Sequence, residues 1–480
     1  MCHTFFNAQA LFLNQMKLFA YITLFFFFSL TILSCKKEKV LTDIGAAINF
    51  NQDTIKFDTV FTSTGSVTQY FTIVNPNKQK IQLSSLKIMG GAASAFKINA
   101  DGIAGPVINN IEIEANDSIY VFVLATINPN SANLPFVIND SIQINWNGNT
   151  AYKHLEAWGQ NAHFLRNKVI TTNTTWNNDL PYVILGGLQI DTNVNLTINP
   201  GVRIYSHADA PFIVDGSLTI NGTKQDSVVF LGDRLDADYR DFPGSWPGIY
   251  FRETSRDNQL TYAVIKNAYQ GIVAQNPPPD ANPKVMLSHC IIDNIYDAGI
   301  LGLQSTITAD NCLISNCGSN VAFALGGIYS FTHCTLATYS SVYLMHKNPV
   351  LFVSNAYKQN NQLLTNDLYA DFTNCIIWGE GGTVEDEVVT DKQGTNTFNL
   401  SFSNVLYKVK NDPANATITA SIKNEDPLFD STDVTKLIYN FHLKPGSPAI
   451  NKGKITPLLT DLDGNPRANG LPDLGCYEKQ

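Results

Sequence analysis

Three cysteines stand 22 residues apart, Cys290, Cys312 and Cys334, and each opens a matching stretch: HCIIDN, NCLISN and HCTLAT. A fixed step of that length, filled with strand-forming residues, marks a unit that stacks on copies of itself. The step also carries the neighbours. Val285, Leu287, Cys290, Ile292 and Asn294 become Ile307, Ala309, Cys312, Ile314 and Asn316, then Tyr329, Phe331, Cys334, Leu336 and Thr338. It predicts a further coil at Leu351, Val353, Ala356, Lys358 and Asn360, followed after 19 residues by Phe372, Cys375 and Ile377. Backwards it reaches Leu260, Ala263, Ile265 and Asn267, once residues 276–283 (NPPPDANP) are set aside as an insertion. A second column, Val273, Ile300, Ala322 and Leu344, keeps step with the first.

The fold class that follows is all-β, with a parallel β-helix whose coils lie roughly 4.8 Å apart. Apolar residues alternate inward along each short strand and stack into one continuous core. Asn267, Asn294, Asn316 and Asn360 fall at a turn, where an amide can bond its own backbone and its neighbour in the next coil. The usual crossover between parallel strands makes the helix right-handed.

At 480 residues the chain exceeds one compact globule, a limit that a solenoid escapes. Lys17 is the one charged residue before Cys35, which leaves 31 basic against 41 acidic groups after it. That balance argues against nucleic acid or an anionic membrane surface as a partner. Met16-Lys17 and the apolar residues 18–33 (LFAYITLFFFFSLTIL) read as a charged start and a short apolar core. Such a run falls short of the roughly 20 residues that span a bilayer. It closes on Ile32-Leu33-Ser34-Cys35, which resembles the lipobox of bacterial lipoproteins. The resemblance implies cleavage before Cys35 and a lipid on that cysteine. Residues 1–35 are thus read as a signal peptide, with Met16 as an alternative start. The membrane is expected to be met through this anchor only. Lys36 after the cysteine implies, by the habit of such proteins, the outer membrane or cell surface. Residues 36–48 read as a tether.

Residues 49–160 follow a different pattern. TQYFTIVNPNKQKIQLSSLKI holds two alternating runs split at Asn75-Pro76-Asn77, and further short strands follow at IEIEAND, SIYVFVLATI, SIQINW and YKHLEAW. The spacing, with no helical pattern and no cysteine, predicts an antiparallel β-sandwich that resembles immunoglobulin-like modules of bacterial surface proteins. Residues 165–480 are assigned to the β-helix. LTINPGVRI, FIVDGSLTINGT and SWPGIYF resemble its entry coils, with Gly201, Gly216, Gly222 and Gly248 at tight corners. Its tail, residues 425–480, carries DPLF, FHLKPGSPAIN, DLDGNPR and PDLGCYE in order. This tail resembles the terminal segment of secreted bacterial β-helix proteins of the pectate-lyase-like superfamily. Related folds serve lyases, hydrolases and adhesins, so the resemblance does not choose an activity.

Several groups are candidates for chemistry. The stacked cysteines are read as buried free thiols, with a Cys290–Cys312 or Cys312–Cys334 disulfide as the alternative. His289 and His333 share an outward column with Asn311, Asn355 and Asn374, read as a solvated polar row; two coils are too far apart for one metal. Asp461, Asp463 and Asn465 hint at a Ca2+ loop, against a plain structural turn. Residues 233–241 (DRLDADYRD) supply the catalytic candidates Arg234, Asp236, Asp238 and Arg240, with Arg252 and Arg256 nearby. Resemblance to β-helix polysaccharide lyases implies an Arg or Lys base beside carboxylates, often with calcium. A second charged loop holds Glu380, Glu385, Asp386, Glu387 and Asp391, and a hydrolase pair of carboxylates stays open. Tyr339, Tyr343, Tyr357 and Trp378 could stack on sugar rings. Two functions therefore stand. One is a lipid-anchored surface protein without catalysis, which binds a polysaccharide or cell-surface glycan or serves as an adhesion or scaffold protein. The other is a polysaccharide lyase or glycoside hydrolase.

Overall fold

The computed structural model describes residues 39–480 except 63, 131–134, 279 and 468–469. Cys35 and the segment before it lie outside the described residues. Among the described residues the chain is almost entirely strand and loop, with one 3-10 turn at Gly91–Ala93 and no helix long and apolar enough to cross a membrane. It divides into two compact units. Up to Lys56, Thr68–Leu124 and Asn139–Glu156 make the first; Phe57–Val67, Ala125–Ile138 and Ala157–Gln480 make the second.

Residues 49–160 form two five-stranded sheets. One runs in the order Asn49–Phe50, Gln69–Val74, Ser118–Ala125, Phe96–Ala100, Ile103–Ala104. The other runs Thr54–Phe61, Asn149–Gln160, Phe136–Trp146, Ile81–Ile88, Val107–Ile113. Alternation decides what each buries: Phe71, Ile73, Val121 and Val123 point into the core of the first, and Ile81, Leu83, Ile142 and Ile144 into that of the second. Residues 41–48, read from the sequence as the end of a tether, are instead strapped down. Leu41 N–H donates to the Lys80 carbonyl at 2.7 Å, Asn147 donates to the Leu41 carbonyl at 2.9 Å, and the Trp146 indole donates to the Ala46 carbonyl at 2.9 Å.

Beyond residue 160 a 26-stranded sheet is built of parallel neighbours in the register expected of a β-helix. Leu260 pairs with Leu287, Leu287 with Ala309, Ala309 with Phe331, and all are buried. The cysteine column follows the same pairing and is fully buried, and its thiols are free. The turn amides behave as the sequence predicts at Asn267 and Asn294, whose side chains bond each other at 2.8 Å in a left-handed backbone (φ 62° and 58°).

Two expectations of register need correction. The coil after Cys334 is not 22 residues long: Phe331 pairs with Phe372 and Thr335 with Ile376, so Cys375 continues the column. Leu351 and Val353 pair instead with Val321 and Phe323 on another side of the coil. Ala356, Lys358 and Asn360 belong to an excursion in which Ala356–Gln359 and Gln362–Thr365 form an antiparallel hairpin. The second column is likewise Val273, Leu301, Ala322 and Phe352, one residue off at Ile300 and without Leu344. Local alternation cannot tell which face of a coil a strand occupies when a loop has been inserted before it.

The tail corrects a third expectation. Phe429, Phe441, Leu443, Leu462, Leu474 and Cys476 cluster with Leu313, Ala337, Ile376, Trp378 and Leu406, which are outward residues of the coils. The His/Asn column is therefore covered, not solvated. Asn311, His333 and Asn374 are buried; Asn374 donates to His333 Nε2 at 2.9 Å and to the Lys454 carbonyl at 2.7 Å. Arg467 reaches in from the tail to Asn311 Oδ1 at 2.9 Å.

Corners set the coil pitch. Gly248 has φ 121°, and a Cβ there would run into the Gln270 carbonyl oxygen of the next coil. Gly201, at φ 80°, faces only the Asn178 side chain, which can swing aside. Gly248→Ala should therefore lower stability by about 3 kcal/mol and Gly201→Ala by only about 1 kcal/mol in urea unfolding. Equal losses would mean that backbone strain alone, not coil contact, sets both corners.

Candidate functional site

Residues 233–248 leave the stack between Val228–Gly232 and Ile249–Phe251, and the turn amides fix where they lie. Asn267 donates to the Arg240 carbonyl at 2.6 Å and Asn294 to the Asp241 carbonyl at 2.8 Å. Gly244 N–H then donates to the Ala268 carbonyl at 3.2 Å, and Ser245 N–H to the Asn267 carbonyl at 2.9 Å. The loop is held flat on the coil face. Its aromatic residues join those of the coils. Tyr239 and Phe242 lie 6.2 Å apart, Phe242 meets Tyr343 edge-on at 5.7 Å, and Tyr296 stacks on Tyr269 at 5.4 Å. The Gly244 backbone runs against the Tyr296 ring. Tyr239, Phe242, Tyr269 and Tyr296 remain 45–50% exposed, so the strip is a surface of rings rather than a core.

A cleft of about 490 Å³ adjoins the strip within the second unit. Phe61, Leu185 and Leu235 give it an apolar floor; Asp58, Arg166, His207, Asp233, Arg234 and Asp236 supply charge. Arg234 makes a two-pronged pair with Asp236 (2.7 and 2.9 Å), which raises its already high pKa, and its guanidinium lies 4.0 Å from the Tyr239 ring. His207 Nδ1 bonds Asp233 at 2.7 Å. Burial pushes the Asp233 carboxyl up, against the opposing pull of His207. The Arg166 backbone is paired with Leu185, but its side chain has no hydrogen-bond or ionic partner among the described residues.

The four catalytic candidates are therefore divided. Arg234 and Asp236 line the cleft but neutralise each other. Asp238 and Arg240 are exposed and lie outside its lining, and the Arg240 side chain reaches only Asp241, at 3.4 Å. Arg252 is spent elsewhere on Asp215, and its hydrogen bonds hold that carboxyl below the usual carboxylate range. Arg256 bonds Asn193 at 3.0 Å. Sequence reasoning missed His207, Arg166 and Asp58, which sit far apart in the chain with no motif around them.

Most of the remaining candidates are tied into the structure, although Glu380, Glu385 and Trp378 line a second, open cleft with Lys408 and Lys410. Glu387 is buried against His346, whose Nε2 lies 2.9 Å from both carboxylate oxygens. Lys408 bridges to Glu380 at 3.6 Å and sits 5.2 Å over the Trp378 ring, which is buried. Tyr339 packs against Tyr439 and Phe441 of the tail, while Tyr357 stands exposed on the hairpin. Of the calcium candidates, buried Asp461 accepts N–H groups from Asn465 and Glu478 at 2.7 and 2.9 Å. Asp463 faces Lys224 at 3.6 Å and His442 at 2.9 Å, and the Asn465 amide turns back to Asp461 at 3.2 Å. No group of three His, Cys, Asp or Glu side chains is placed to hold a metal ion among the described residues. Burial raises the stacked thiols far above their usual range, so they are poor nucleophiles and ligands.

No family model and no curated protein matches the chain. Among solved structures 35 chains match. The catalytic unit of a thermostable GH87 alpha-1,3-glucanase from Streptomyces thermodiastaticus strain HF3-3 aligns over 76% of this chain and 89% of its own, with 9% identity and a TM-score of 0.23. A family 123 glycoside hydrolase from Clostridium perfringens aligns over 24% of this chain, 12% identical, TM-score 0.18; this chain spans only 26% of that enzyme's length. The PapD-like domain 7 of human CEP192 aligns over 27% of this chain and 95% of its own, 10% identical, TM-score 0.18. Scores this low carry no argument, and the site stands on its own geometry.

Proposed function

We propose that the chain is a lipid-anchored cell-surface protein that binds glycan along the aromatic strip. On this reading an immunoglobulin-like sandwich precedes a right-handed, pectate-lyase-like β-helix in a chain with an outer-membrane anchor at Cys35. The observation that carries it is the row of half-exposed rings, Tyr239, Phe242, Tyr269 and Tyr296, fixed to a rigid coil face. Sugar rings offer an apolar face to such a surface and hydroxyls to its edges, and rigid rings lose little entropy on binding. The pairing of Arg234 with Asp236 and of Arg252 with Asp215 supports binding over catalysis, because neither guanidinium is free to act as a base.

A soluble chain beginning after Cys35 should retain one or more members of a polysaccharide array. Tyr269→Ala with Tyr296→Ala should weaken that binding roughly 30-fold, at about 1 kcal/mol per ring. Unchanged affinity would remove the strip from the reading. The enzymatic alternative, lyase or hydrolase, rests on the His207–Asp233 pair beside the unpaired Arg166. New reducing ends released from the same array, with calcium or with chelator, and lost in His207→Ala, would favour it.

A further inference from the structure

The first unit carries an aromatic face of its own. Tyr70 and Phe122 pair across neighbouring strands, and Tyr120 completes a triangle with ring centroids 5.4, 6.1 and 6.3 Å apart. All three rings are 43–52% exposed. The other outward positions of these strands are Thr72, Val74, Ser118 and Leu124, and the adjoining Phe96–Ala100 strand adds Lys97 and Asn99. The edge strand adds Ala104, which pairs with Asn99. The face thus holds one cation and no carboxylate. The other sheet also exposes rings, Tyr152 and Trp158, but its outward positions mix them with the charges Lys87, Glu112 and Glu156.

The strap holds the first unit close to the anchor, through Lys80 beside the other sheet. Leu41 is already hydrogen-bonded into the first unit, so only six Cα steps separate it from Cys35. Fully extended, those steps span about 20 Å. A lipid on Cys35 therefore keeps this unit at the bilayer surface. Tyrosine and phenylalanine, with an isolated lysine and no acid, are the composition that settles at the boundary between headgroups and acyl chains.

We infer that the Tyr70/Tyr120/Phe122 face lies on the bilayer, so that the membrane is contacted by protein as well as by the anchor. The inference rests on lipidation of Cys35. It is tested with the full lipidated chain in vesicles of phosphatidylethanolamine and phosphatidylglycerol, carrying a polarity-sensitive fluorophore at Thr72→Cys or, as control, at Lys87→Cys. The expected result is a blue shift and quenching by spin-labelled lipid at position 72 and neither at position 87. Equal behaviour of the two labels overturns the inference. So does a shift at position 72 produced by soluble oligosaccharide and not by lipid, which would make the face a sugar platform. The mass of the amino-terminal peptide separates the two readings: an unacylated Cys35 sinks the anchor and this inference together. An acylated Cys35 with an unshifted label sinks only the inference. Tyr70→Ser with Tyr120→Ser and Phe122→Ser, monitored at the same label, should abolish the quenching while far-ultraviolet circular dichroism stays unchanged.

Discussion

An Arg467→Met chain is expected to lose about 3–5 kcal/mol of stability, the largest effect of any single change considered. Arg467 is 5% exposed and donates to four acceptors: Glu478 at 3.1 Å, Asn311 at 2.9 Å, and the carbonyls of Gly475 at 3.1 Å and Thr460 at 3.3 Å. Burial lowers its pKa and raises that of Glu478, so both ions pay for desolvation and hold each other charged. Removing the cation strands Glu478 without its partner, and that, more than the lost contacts, sets the magnitude. Glu478 also accepts from the Asp473 N–H at 3.1 Å, so the damage spreads through residues 460–478. Hydrogen exchange should accelerate first there and in the outward strands beneath, Leu313–Ser315 and Thr335–Tyr339. Adding Glu478→Gln should recover part of the loss, because it removes the stranded charge. A loss below about 1 kcal/mol would show that the tail adds little to the stack.

That tail was legible in the sequence as a family mark, but not as a lid. DLDGNPR and PDLGCYE could be read in order, yet nothing in them says which coils they cover. The 22-residue step failed for a related reason. From Cys290 to Cys334 every coil has the same turns, so counting works. After Cys334 the chain inserts the 340–349 loop and the Ala356–Thr365 excursion, and a count of residues no longer corresponds to a place on the coil. The aromatic strip was half visible: Tyr343 was singled out, whereas Tyr269 and Tyr296 are separated by an insertion that hides their register. Arg234 and Asp236 were found because charge clusters are visible in one dimension. Their mutual neutralisation is a contact two residues apart that depends on how the loop folds, whereas the approach of His207 to Asp233 depends on coils stacked 26 residues apart.

Acid should weaken the fold through His333, and His333→Asn should remove that sensitivity. Burial, with Arg467 nearby, lowers the pKa of His333 from 6.5 to about 3. The unfolded chain binds a proton there more readily than the folded one, so the stability held above about pH 6.5 is lost as pH falls toward about 3. At pH 4 the loss from this residue is about 3 kcal/mol, from a shift worth about 1.4 kcal/mol per pH unit. Asparagine is the natural replacement. His333 has φ 51°, a left-handed conformation that asparagine tolerates, and Asn311 and Asn374 already occupy the same turn in adjacent coils at φ 49° and 56°. The substitution should change stability at pH 7.5 by no more than about 1 kcal/mol. Urea midpoints measured from pH 7.5 to 4 should then fall steeply for the parent chain and much less for the variant. Parallel declines would assign the acid sensitivity to the carboxylates held by arginine, such as Asp215, rather than to the covered histidine. In that case the tail would shield the column from water without depending on its charge.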